Sequence, residues 1–433
     1  MSARRVALKV LSRIDRDKSY SNLTLDSELK KTELNDADKA LASCIVFGVV
    51  ARKITLDYYI SKLTKVAESK IEPQVRNILR MGLYQMMYLD RIPDHAAVNE
   101  SVNAAPTRAK SFVNAVLRRF LRERDTVELP GDPIMRLSVE ESFPLELCEK
   151  LVDSYGFETA HDILAAMNTT PPLTLRVNTL KTDRDTLLSE FLKRGIKAEQ
   201  GRLTPDSIYV TGTPVTELYG FRERLFFVQD EASQLCVSAL DAKPESLVID
   251  CCSAPGSKSF GAAMTMKNRG KILSFDLHEN KLSLIREGSK SLGINIIETN
   301  AQDARIFIPE LEEKADAVLC DVPCSGYGVI AKKPEIRFKP LNEAEKLPEI
   351  QYAILENCSR YVKEGGVLVY STCTVMPEEN KNNTERFLTE HKEFTAESIT
   401  VDGKSYPNGA QLLPNIHGID GFYIAKFKRR TER

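Results

Sequence analysis

The sequence predicts an α/β protein with a Rossmann-like, doubly wound domain in its C-terminal half and an all-helical domain at its N-terminal end. From about residue 245 onward, short apolar runs alternate with helical patterns, which is typical of a parallel sheet covered by helices. Residues 1–130 show only the helical spacing of apolar residues. We place the domains at residues 1–130, 140–230 and 231–433.

Three amphipathic segments predict the helices of the first domain. Their apolar stripes consist of Ala7, Val10, Leu11 and Ile14; of Val75, Ile78, Leu79, Leu83 and Met86; and of Val113, Val116, Leu117, Phe120 and Leu121. The face opposite the third stripe carries Arg118, Arg119 and Arg122. Residues 129–133, which read Leu-Pro-Gly-Asp-Pro, end this helical pattern and predict a linker.

The net charge of −1 hides an uneven distribution. Residues 1–130 carry 23 Lys and Arg against 16 Asp and Glu, or +7, and the remainder carries 37 against 45, or −8. Phosphate backbones attract clusters of Lys and Arg whatever the base sequence. The first domain is therefore the candidate nucleic-acid anchor, although a solvated helical surface explains the same charges.

The second domain, residues 140–230, has a mixed pattern. Strands are expected at residues 173–178 and 208–210, and helices at residues 146–155 and 183–194. No combination of side chains in this domain indicates a catalytic site. We interpret it as a small α+β module that connects the other two domains.

Strands of the third domain are expected at residues 247–250, 272–276, 295–299, 317–320, 367–371 and 421–427, with helices at 279–292 and 342–362. In doubly wound sheets, ligands bind beyond the carboxyl ends of the strands, near the point where strand order reverses. The first, fourth and fifth strands are neighbours at that point. The residues that follow them should therefore surround one cleft.

The loop after the first strand, residues 252–258, reads Cys-Ser-Ala-Pro-Gly-Ser-Lys. Small residues and a glycine there allow a ligand to approach the backbone closely. Ser257 is expected to cap the helix that follows. Neither a Walker loop nor a GxGxxG fingerprint is present, which disfavours phosphate binding.

Two acidic residues follow the next two strands. Asp276 is placed to bind a ribose diol, and Asp303 to accept a hydrogen bond from an adenine amino group. Either carboxylate alone is explained as a helix N-cap. Their joint placement favours a cofactor that contains a nucleoside, and S-adenosylmethionine fits because it requires no phosphate-binding loop.

The fourth and fifth strands each end close to a cysteine, Cys324 and Cys373. A thiolate that adds to carbon-6 of a pyrimidine makes carbon-5 electron-rich enough to accept a methyl group. The second thiol would assist removal of the carbon-5 proton or release of the adduct, and Asp321 would hydrogen-bond the base edge. Either cysteine alone is explained as a small buried residue, and it is their joint placement after an adenosine-type loop that favours the chemistry.

No metal site is expected. The nine cysteines form no Cys-x-x-Cys pair, and the five histidines show no ligand spacing. The remaining thiols are expected to lie in the core. They are Cys44, Cys148, Cys236, Cys251, Cys320 and Cys358.

Over nearly its full length the chain resembles the Fmu/Sun family of RNA 5-methylcytosine methyltransferases. Residues 252–258 look like the cofactor motif of that family, residues 321–326 like its Pro-Cys motif and residues 371–373 like its Thr-Cys motif. Residues 93–101 and 112–119 are similar to parts of its NusB-like RNA-binding domain.

The resemblance implies an S-adenosylmethionine-dependent enzyme that methylates carbon-5 of a cytosine in 16S ribosomal RNA. It implies that Cys373 is the nucleophile and that Cys324 assists release. The cofactor contacts that it implies are Cys252, Ser253, Ala254, Pro255, Gly256, Ser257, Lys258, Asp276, Asp303 and Asp321.

Two features depart from the family pattern. Ser257 stands where the family often has glycine, and the chain contains no tryptophan, although one is common near Phe338. Lys332, Lys333 and Arg337 follow the Pro-Cys motif, where they would either grip RNA or form a solvated loop.

We expect a cytoplasmic enzyme, because the chain has neither an apolar signal core nor an 18-residue apolar run. We also expect it to be monomeric. Its expected partner is small-subunit ribosomal RNA, naked or in an early assembly particle. The alternatives are cytosine methylation of transfer RNA, and an RNA-binding protein with an inactive methyltransferase domain. A methyltransferase acting on an amino group would leave Cys373 unexplained.

Overall fold

The computed structural model describes residues 2–17 and 21–431, which divide into two compact units. One unit extends to Thr169 and includes Ile330–Lys339, and the other begins at Thr170 and contains the rest of the chain. Among the described residues, no helix is long and apolar enough to cross a bilayer.

The first unit is helical, as the sequence predicts. Its helices are α1 (Ala3–Asp17), α2 (Ser21–Leu29), α3 (Asp36–Ala51), α4 (Lys53–Leu63), α5 (Pro73–Tyr88), α6 (Asp94–Ala104), α7 (Lys110–Glu123), α8 (Pro133–Glu141), α9 (Leu145–Tyr155) and α10 (Phe157–Met167). The predicted stripes form its core, where Val10, Leu79 and Leu117 are completely buried. Pro73 occupies the first turn of α5. The lack of an N–H costs nothing there, because N–H groups in the first turn have no acceptor within the helix.

The second unit begins with a four-stranded antiparallel sheet and one covering helix. Its elements are β1 (Leu173–Val177), α11 (Arg184–Lys193), β2 (Lys197–Gln200), β3 (Ser207–Thr211) and β4 (Phe226–Val228), and the strand order is β2-β3-β1-β4. Asp183 caps α11 by accepting a 2.9 Å hydrogen bond from the amide of Thr186. Phe191 of α11 packs against Phe226 of the sheet, so the expected α+β module is present.

The large sheet follows, with helices between its strands. Its elements are α12 (Glu231–Ala239), β5 (Leu247–Asp250), α13 (Ser257–Thr265), β6 (Lys271–Asp276), α14 (Glu279–Leu292), β7 (Ile297–Ala301), β8 (Ala315–Asp321), α15 (Leu341–Ala344), α16 (Leu347–Ser359), β9 (Val362–Thr372), α17 (Lys381–Glu390), β10 (Phe394–Glu397), β11 (Ile399–Val401), β12 (Lys404–Tyr406), β13 (Ala410–Leu412), α18 (Pro414–His417) and β14 (Phe422–Arg429).

The strand order is β10-β14-β9-β8-β5-β6-β7, with β13 paired to β14. Strands β5 to β9 are parallel, and β14 runs antiparallel to β9. The order reverses between β5 and β8, so β5, β8 and β9 are neighbours at the switch point. The predicted doubly wound architecture is confirmed.

Two predicted elements differ from the structure. The helix expected over 342–362 is broken into α15 and α16, because Pro348 lacks the N–H that a continuous helix needs and sits in the first turn of α16 instead. The third strand begins two residues later than expected, at Ile297. Neither difference moves the carboxyl ends of β5, β8 and β9, which carry the candidate site.

Candidate active site

The two thiols after β8 and β9 lie together. The strands are parallel neighbours, with Asp321 opposite Ser371 in the register. Beyond their ends, the Sγ atoms of Cys324 and Cys373 are 3.0 Å apart, and the amide of Cys373 donates to the sulfur of Cys324 at 3.3 Å. The structure therefore brings both predicted thiols to one point at the switch edge of the sheet.

Two glycines hold the loops that carry the thiols. The amide of Gly328 donates to the carbonyl of Cys373 at 3.0 Å, and the amide of Gly421 donates to the carbonyl of Gly328 at 2.8 Å. A Cβ atom on Gly328 would lie 1.7 Å from the carbonyl oxygen of Gly421, a separation that no side chain tolerates. This backbone packing explains the glycine that follows the Pro-Cys motif.

A partly buried ion pair lies beside the thiols. The Nζ of Lys258, in the first turn of α13, donates to Oδ2 of Asp321 at 2.7 Å, and the hydroxyl of Ser371 donates to Oδ1 at 2.7 Å. Burial lowers the pKa of Lys258, but Asp321 more than offsets this and the pKa is raised overall. Lys258 is therefore a permanent cation beside the thiol pair.

The two thiols have opposite pKa shifts. The hydrogen bond from Cys324 lowers the pKa of Cys373 and outweighs burial and the charge of Asp321, which raise it. The charge of Lys258 lowers it further. The hydrogen bond to Cys373, together with burial, raises the pKa of Cys324 well above its usual range. The thiolate is thus favoured on Cys373 and the proton on Cys324.

The loop after β5 is shaped by its neighbours. Ser253 donates from both its amide and its hydroxyl to the carbonyl of Phe275, at 2.8 Å in each case. Gly256 adopts φ +108°, a left-handed conformation that side chains disfavour. The prediction that Ser257 caps α13 is wrong: Gly256 occupies the N-cap position and Ser257 is the first helical residue, because the left-handed turn ends the loop one residue earlier.

Asp250, the last residue of β5, is the buried support of this loop. Its Oδ2 accepts a 2.6 Å hydrogen bond from Ser259, whose hydroxyl also contacts the hydroxyl of Ser274 at 2.8 Å. Burial raises the pKa of Asp250 to about 7. The sequence patterns did not single out this carboxyl, although it directly precedes the cofactor loop.

The two carboxylates predicted to bind a nucleoside have different surroundings. Asp276 accepts hydrogen bonds from the amides of Ala254 and His278, at 3.2 Å and 3.0 Å, so it lies directly against the loop after β5. Both oxygens of Asp303 are bound by Arg305, which lowers the pKa of Asp303. Asp303 would have to share its oxygens with Arg305 to accept from another donor.

Arg337 was expected to grip RNA, and the structure contradicts that expectation. The side chain is only 1% exposed, and its Nη1 donates to the carbonyl of Ala51 at 2.6 Å and to Oδ1 of Asn168 at 3.1 Å. Arg337 is a buried residue that links parts of the helical unit. The sequence did not indicate this, because its neighbours Lys332 and Lys333 are also basic. Lys332 and Lys333 are exposed, as a role in RNA binding requires.

The basic ridge on α7 is only partly free. Arg118 and Arg122 are exposed, whereas Arg119 is half-buried and donates to Glu123 at 2.8 Å. A second basic surface, which sequence patterns missed, is a groove of about 1010 Å³ between α1 and α5. Its basic lining residues are Arg5, Lys9, Arg13, Arg16 and Arg76.

Three further thiols meet in the core. The sulfurs of Cys251, Cys320 and Cys358 lie within 4.8 Å of one another, close enough for three thiolates to share an ion. The expectation of no metal site stays a prediction. Cys148 and Cys236 are buried as expected, but Cys44 is exposed, so its assignment to the core was wrong.

Comparison with known proteins agrees with this architecture. Residues 237–428 match the family model for the 16S rRNA methyltransferase RsmB/F, residues 1–122 match the NusB family, and residues 143–216 match the ferredoxin-like domain of RsmF/B-like methyltransferases. The NusB match lies in the helical unit, the ferredoxin-like match includes β1 to β3 of the small sheet, and the methyltransferase match contains the strands of the large sheet.

The chain is also similar to whole proteins. It is 38% identical to a probable ribosomal RNA small subunit methyltransferase B of Bacillus subtilis, with 99% of each chain covered. It is 34% identical to the protein of the same name in Synechocystis, with 99% of this chain and 100% of the other covered. A solved structure titled Crystal Structure of PH0851 superposes with a TM-score of 0.82 at 25% identity, over 99% and 98% of the two chains. The chain therefore belongs to the RsmB/F family of 16S rRNA methyltransferases, which confirms the enzyme class and fold predicted from its sequence.

Proposed function

We propose that this protein transfers a methyl group from S-adenosylmethionine to carbon-5 of a cytosine in 16S ribosomal RNA. The transfer would proceed through a covalent bond between Cys373 and carbon-6 of the base. The observation that carries this proposal is the 3.0 Å approach of the Cys324 and Cys373 sulfurs at the ends of adjacent parallel strands. The names of the two relatives described above support ribosomal RNA as the substrate.

The residues at the switch edge fit S-adenosylmethionine. A carboxylate, Asp276, lies against the loop at residues 252–258, where a ribose diol would need an acceptor. Lys258, the cation beside the thiol pair, is already neutralised by Asp321, so it has no free charge to offer a phosphate. These residues and Asp303 would hold the cofactor, which supplies an electrophilic methyl group when bound.

Cys373 would act as the nucleophile. Its lowered pKa favours the thiolate, which is the reactive form of cysteine. Its addition to carbon-6 forms a carbon–sulfur bond and moves electron density to carbon-5. The target base must leave its stack to reach a sulfur held at the base of these loops.

Asp321 and Lys258 would orient the base and help it accept charge. Asp321 is 27% exposed, and its oxygens are held by Lys258 and Ser371, which limits its rotation. A carboxylate in this position can accept from the exocyclic amino group of cytosine, whereas a lysine can donate to the neighbouring ring atoms. Together they would distinguish cytosine from uracil.

Cys324 would assist release of the methylated product. Its raised pKa keeps a proton on its sulfur, 3.0 Å from the sulfur that must leave carbon-6. In the elimination, Cys324 would give its proton to the sulfur of Cys373 as the bond to carbon-6 breaks. The thiolate left on Cys324 would then accept the carbon-5 proton, which restores both thiols.

The helical unit would hold the RNA through phosphate contacts. The candidates are the ridge of Arg118, Arg119 and Arg122, the exposed Lys332 and Lys333, and the groove between α1 and α5. Charge reversal at Arg118 and Arg122 should weaken RNA binding at moderate salt. Unchanged binding would indicate that the phosphate contacts lie in the groove between α1 and α5. Weaker RNA binding by Arg5→Glu and Arg76→Glu would then test that location.

The remaining expectations stay proposals. We propose that the functional domains are residues 1–130, 140–230 and 231–433, that the protein acts as a monomer in the cytoplasm, and that it binds naked RNA or an early assembly particle. Size-exclusion chromatography with light scattering, together with binding to stripped and assembled small subunits, separates these possibilities.

The test of the proposed function is Cys373→Ala. Total RNA from cells that carry only this variant should lack one 5-methylcytosine in 16S rRNA by bisulfite sequencing, and Cys44→Ala should retain it as an exposed-thiol control. Retained methylation in Cys373→Ala would refute the nucleophile assignment. Loss of 5-methylcytosine from transfer RNA instead would favour the transfer RNA alternative.

A further inference from the structure

A buried glutamate, Glu379, lies behind the loop that carries Cys324. It is only 2% exposed, and its Oε2 accepts hydrogen bonds from the amide of Ser325 at 2.9 Å and from Nε2 of Gln351 at 2.8 Å. Gln351 also donates to the carbonyl of Pro323 at 2.9 Å. The residues on both sides of Cys324 are therefore held by this glutamate and its glutamine.

The charge of Glu379 is not neutralised by a neighbour. Its Oε1 is buried and has no hydrogen-bond partner, and within residues 2–17 and 21–431 no Lys, Arg or His forms an ion pair with it. Asp321, the other carboxylate of the site, is paired with Lys258 at 2.7 Å. A buried carboxylate without a counter-ion, when ionised, acts strongly on nearby groups, because little solvent screens it.

Cys324 is thus next to the buried carboxylate of Glu379, whereas on the side of Cys373 Asp321 is paired with Lys258. We propose that Glu379 is a positioning residue that holds Cys324 against Cys373 and keeps the shared proton on the sulfur of Cys324. The negative charge then rests on Cys373. This inference rests on the proposed function, because it concerns the same two thiols.

The other titratable groups around the pair act in both directions. They are Lys258, Asp321, Tyr327, Tyr370, Glu379 and Asp420. Asp321 and Asp420 both raise the pKa of Cys373, so they oppose the effect of Lys258. On Cys324 the hydrogen bond to Cys373 and burial are the largest influences. The carboxylate of Glu379 adds to them, and the amide of Cys373, which donates to the sulfur of Cys324, acts against them more weakly.

The arrangement has a consequence for the reaction. Cys373 begins as a thiolate that can add to carbon-6, and Cys324 begins as a thiol. No proton has to be removed from the nucleophile before attack. The carboxylate of Glu379 is buried behind the loop that carries Cys324, so it acts only through Cys324.

The test is a site-resolved alkylation of the native protein with substoichiometric iodoacetamide at pH 8, without RNA or cofactor. The first carbamidomethyl group should be found on Cys373, with iodide as the leaving group. In Glu379→Gln, the amide oxygen still accepts from Ser325 but the charge is gone. The ratio of Cys324 to Cys373 modification should rise about tenfold, which corresponds to one pKa unit.

Two matched variants separate charge from packing. Glu379→Asp keeps the charge and should retain the wild-type ratio even if the shorter side chain loosens the loop. Glu385→Gln removes an exposed carboxylate from α17 and should change nothing. A wild-type ratio in folded Glu379→Gln would overturn the proposal.

A second measurement applies if Glu379→Gln does not fold. In Cys373→Ser the effects of Cys373 on Cys324 are lost, but burial and Glu379 remain, so Cys324 should still react slowly with iodoacetamide at pH 8, below the ordinary thiol pKa of 9. Rapid modification of Cys324 at pH 8 would contradict the proposal. Because neither measurement involves methyl transfer, its outcome is independent of whether ribosomal RNA is the substrate.

Discussion

Two groups of thiols lie in the same unit. In each group the sulfurs are close together, but the two groups have different surroundings. Cys324 and Cys373 lie at the carboxyl ends of β8 and β9, beside an ion pair and a buried glutamate. The core group, Cys251, Cys320 and Cys358, packs among apolar side chains on one face of the same sheet. Three thiols meet there, but none has a lysine beside it among the described contacts.

The comparison shows that the groups around a thiol, and not the number of sulfurs, distinguish a reactive thiol from a core thiol. Burial raises the pKa of Cys320 and Cys358 well above the usual range, so they remain neutral and serve as small apolar residues. Cys373 is half-buried, yet its pKa is lowered by the hydrogen bond from Cys324 with help from Lys258. The reactive thiol therefore lies at the carboxyl ends of the strands, whereas the thiols of the core contribute only to packing.

The largest expected effect is a difference in reactivity. In native protein, iodoacetamide at pH 7.5 should modify Cys373 roughly a thousandfold faster than the core group, because alkylation requires an accessible thiolate. Mass spectrometry of quenched time points measures each site, and urea-unfolded protein provides the control in which all sites react at similar rates. Early modification of Cys320 in folded protein would contradict the proposed difference in reactivity between Cys373 and the core thiols.

A smaller effect is expected from Lys258→Met, which removes the cation beside Cys373. The pKa of Cys373 should rise, so that alkylation reaches its half-maximal rate at a higher pH. If that midpoint rises by about one pH unit, the rate at pH 7 should fall about tenfold. The pH profile of Cys373 alkylation measures this effect. Lys271→Met removes an exposed lysine at the start of β6 and serves as the control.

The change in the profile has a definite sign. The thiolate fraction of Cys373 grows as pH rises through its pKa, and a lowered pKa places this growth below pH 9, the ordinary value. Loss of Lys258 moves the profile towards higher pH. A profile that stays in place in Lys258→Met would show that Cys324 alone lowers the pKa.

The smallest expected effect concerns the core group. Cys320→Ser places a hydroxyl in a fully buried apolar site and should reduce the free energy of unfolding by about 1–3 kcal/mol. The methyl-transfer rate of the folded enzyme should not change. Urea unfolding and a single-turnover assay measure the two quantities, and Cys320→Ala is the control without an added polar group.

Much of this site could be predicted from local sequence. Alternating strands and helices define the parallel sheet, and the positions of Cys324 and Cys373 after two apolar runs were sufficient to place them at one edge. Such patterns succeed because side chains at the ends of neighbouring parallel strands must meet. No knowledge of distant packing was required.

The parts that could not be predicted depend on long-range packing. Lys258 and Asp321 are 63 residues apart, and Glu379 and Ser325 are 54 apart, so no local pattern reports either contact. Arg337 resembles its exposed neighbours Lys332 and Lys333 in the sequence. Only the folded helical unit shows that its guanidinium is buried against backbone carbonyls.

The central claim, that Cys373 forms the covalent bond to the base, is tested most directly by trapping. Cys324→Ala should still transfer the methyl group but release the product slowly. After incubation with 16S rRNA and S-adenosylmethionine, denaturation and digestion, mass spectrometry should find a methylated cytosine attached to the peptide that contains Cys373. A normal release rate with no adduct, or an adduct on any other cysteine, would contradict the account.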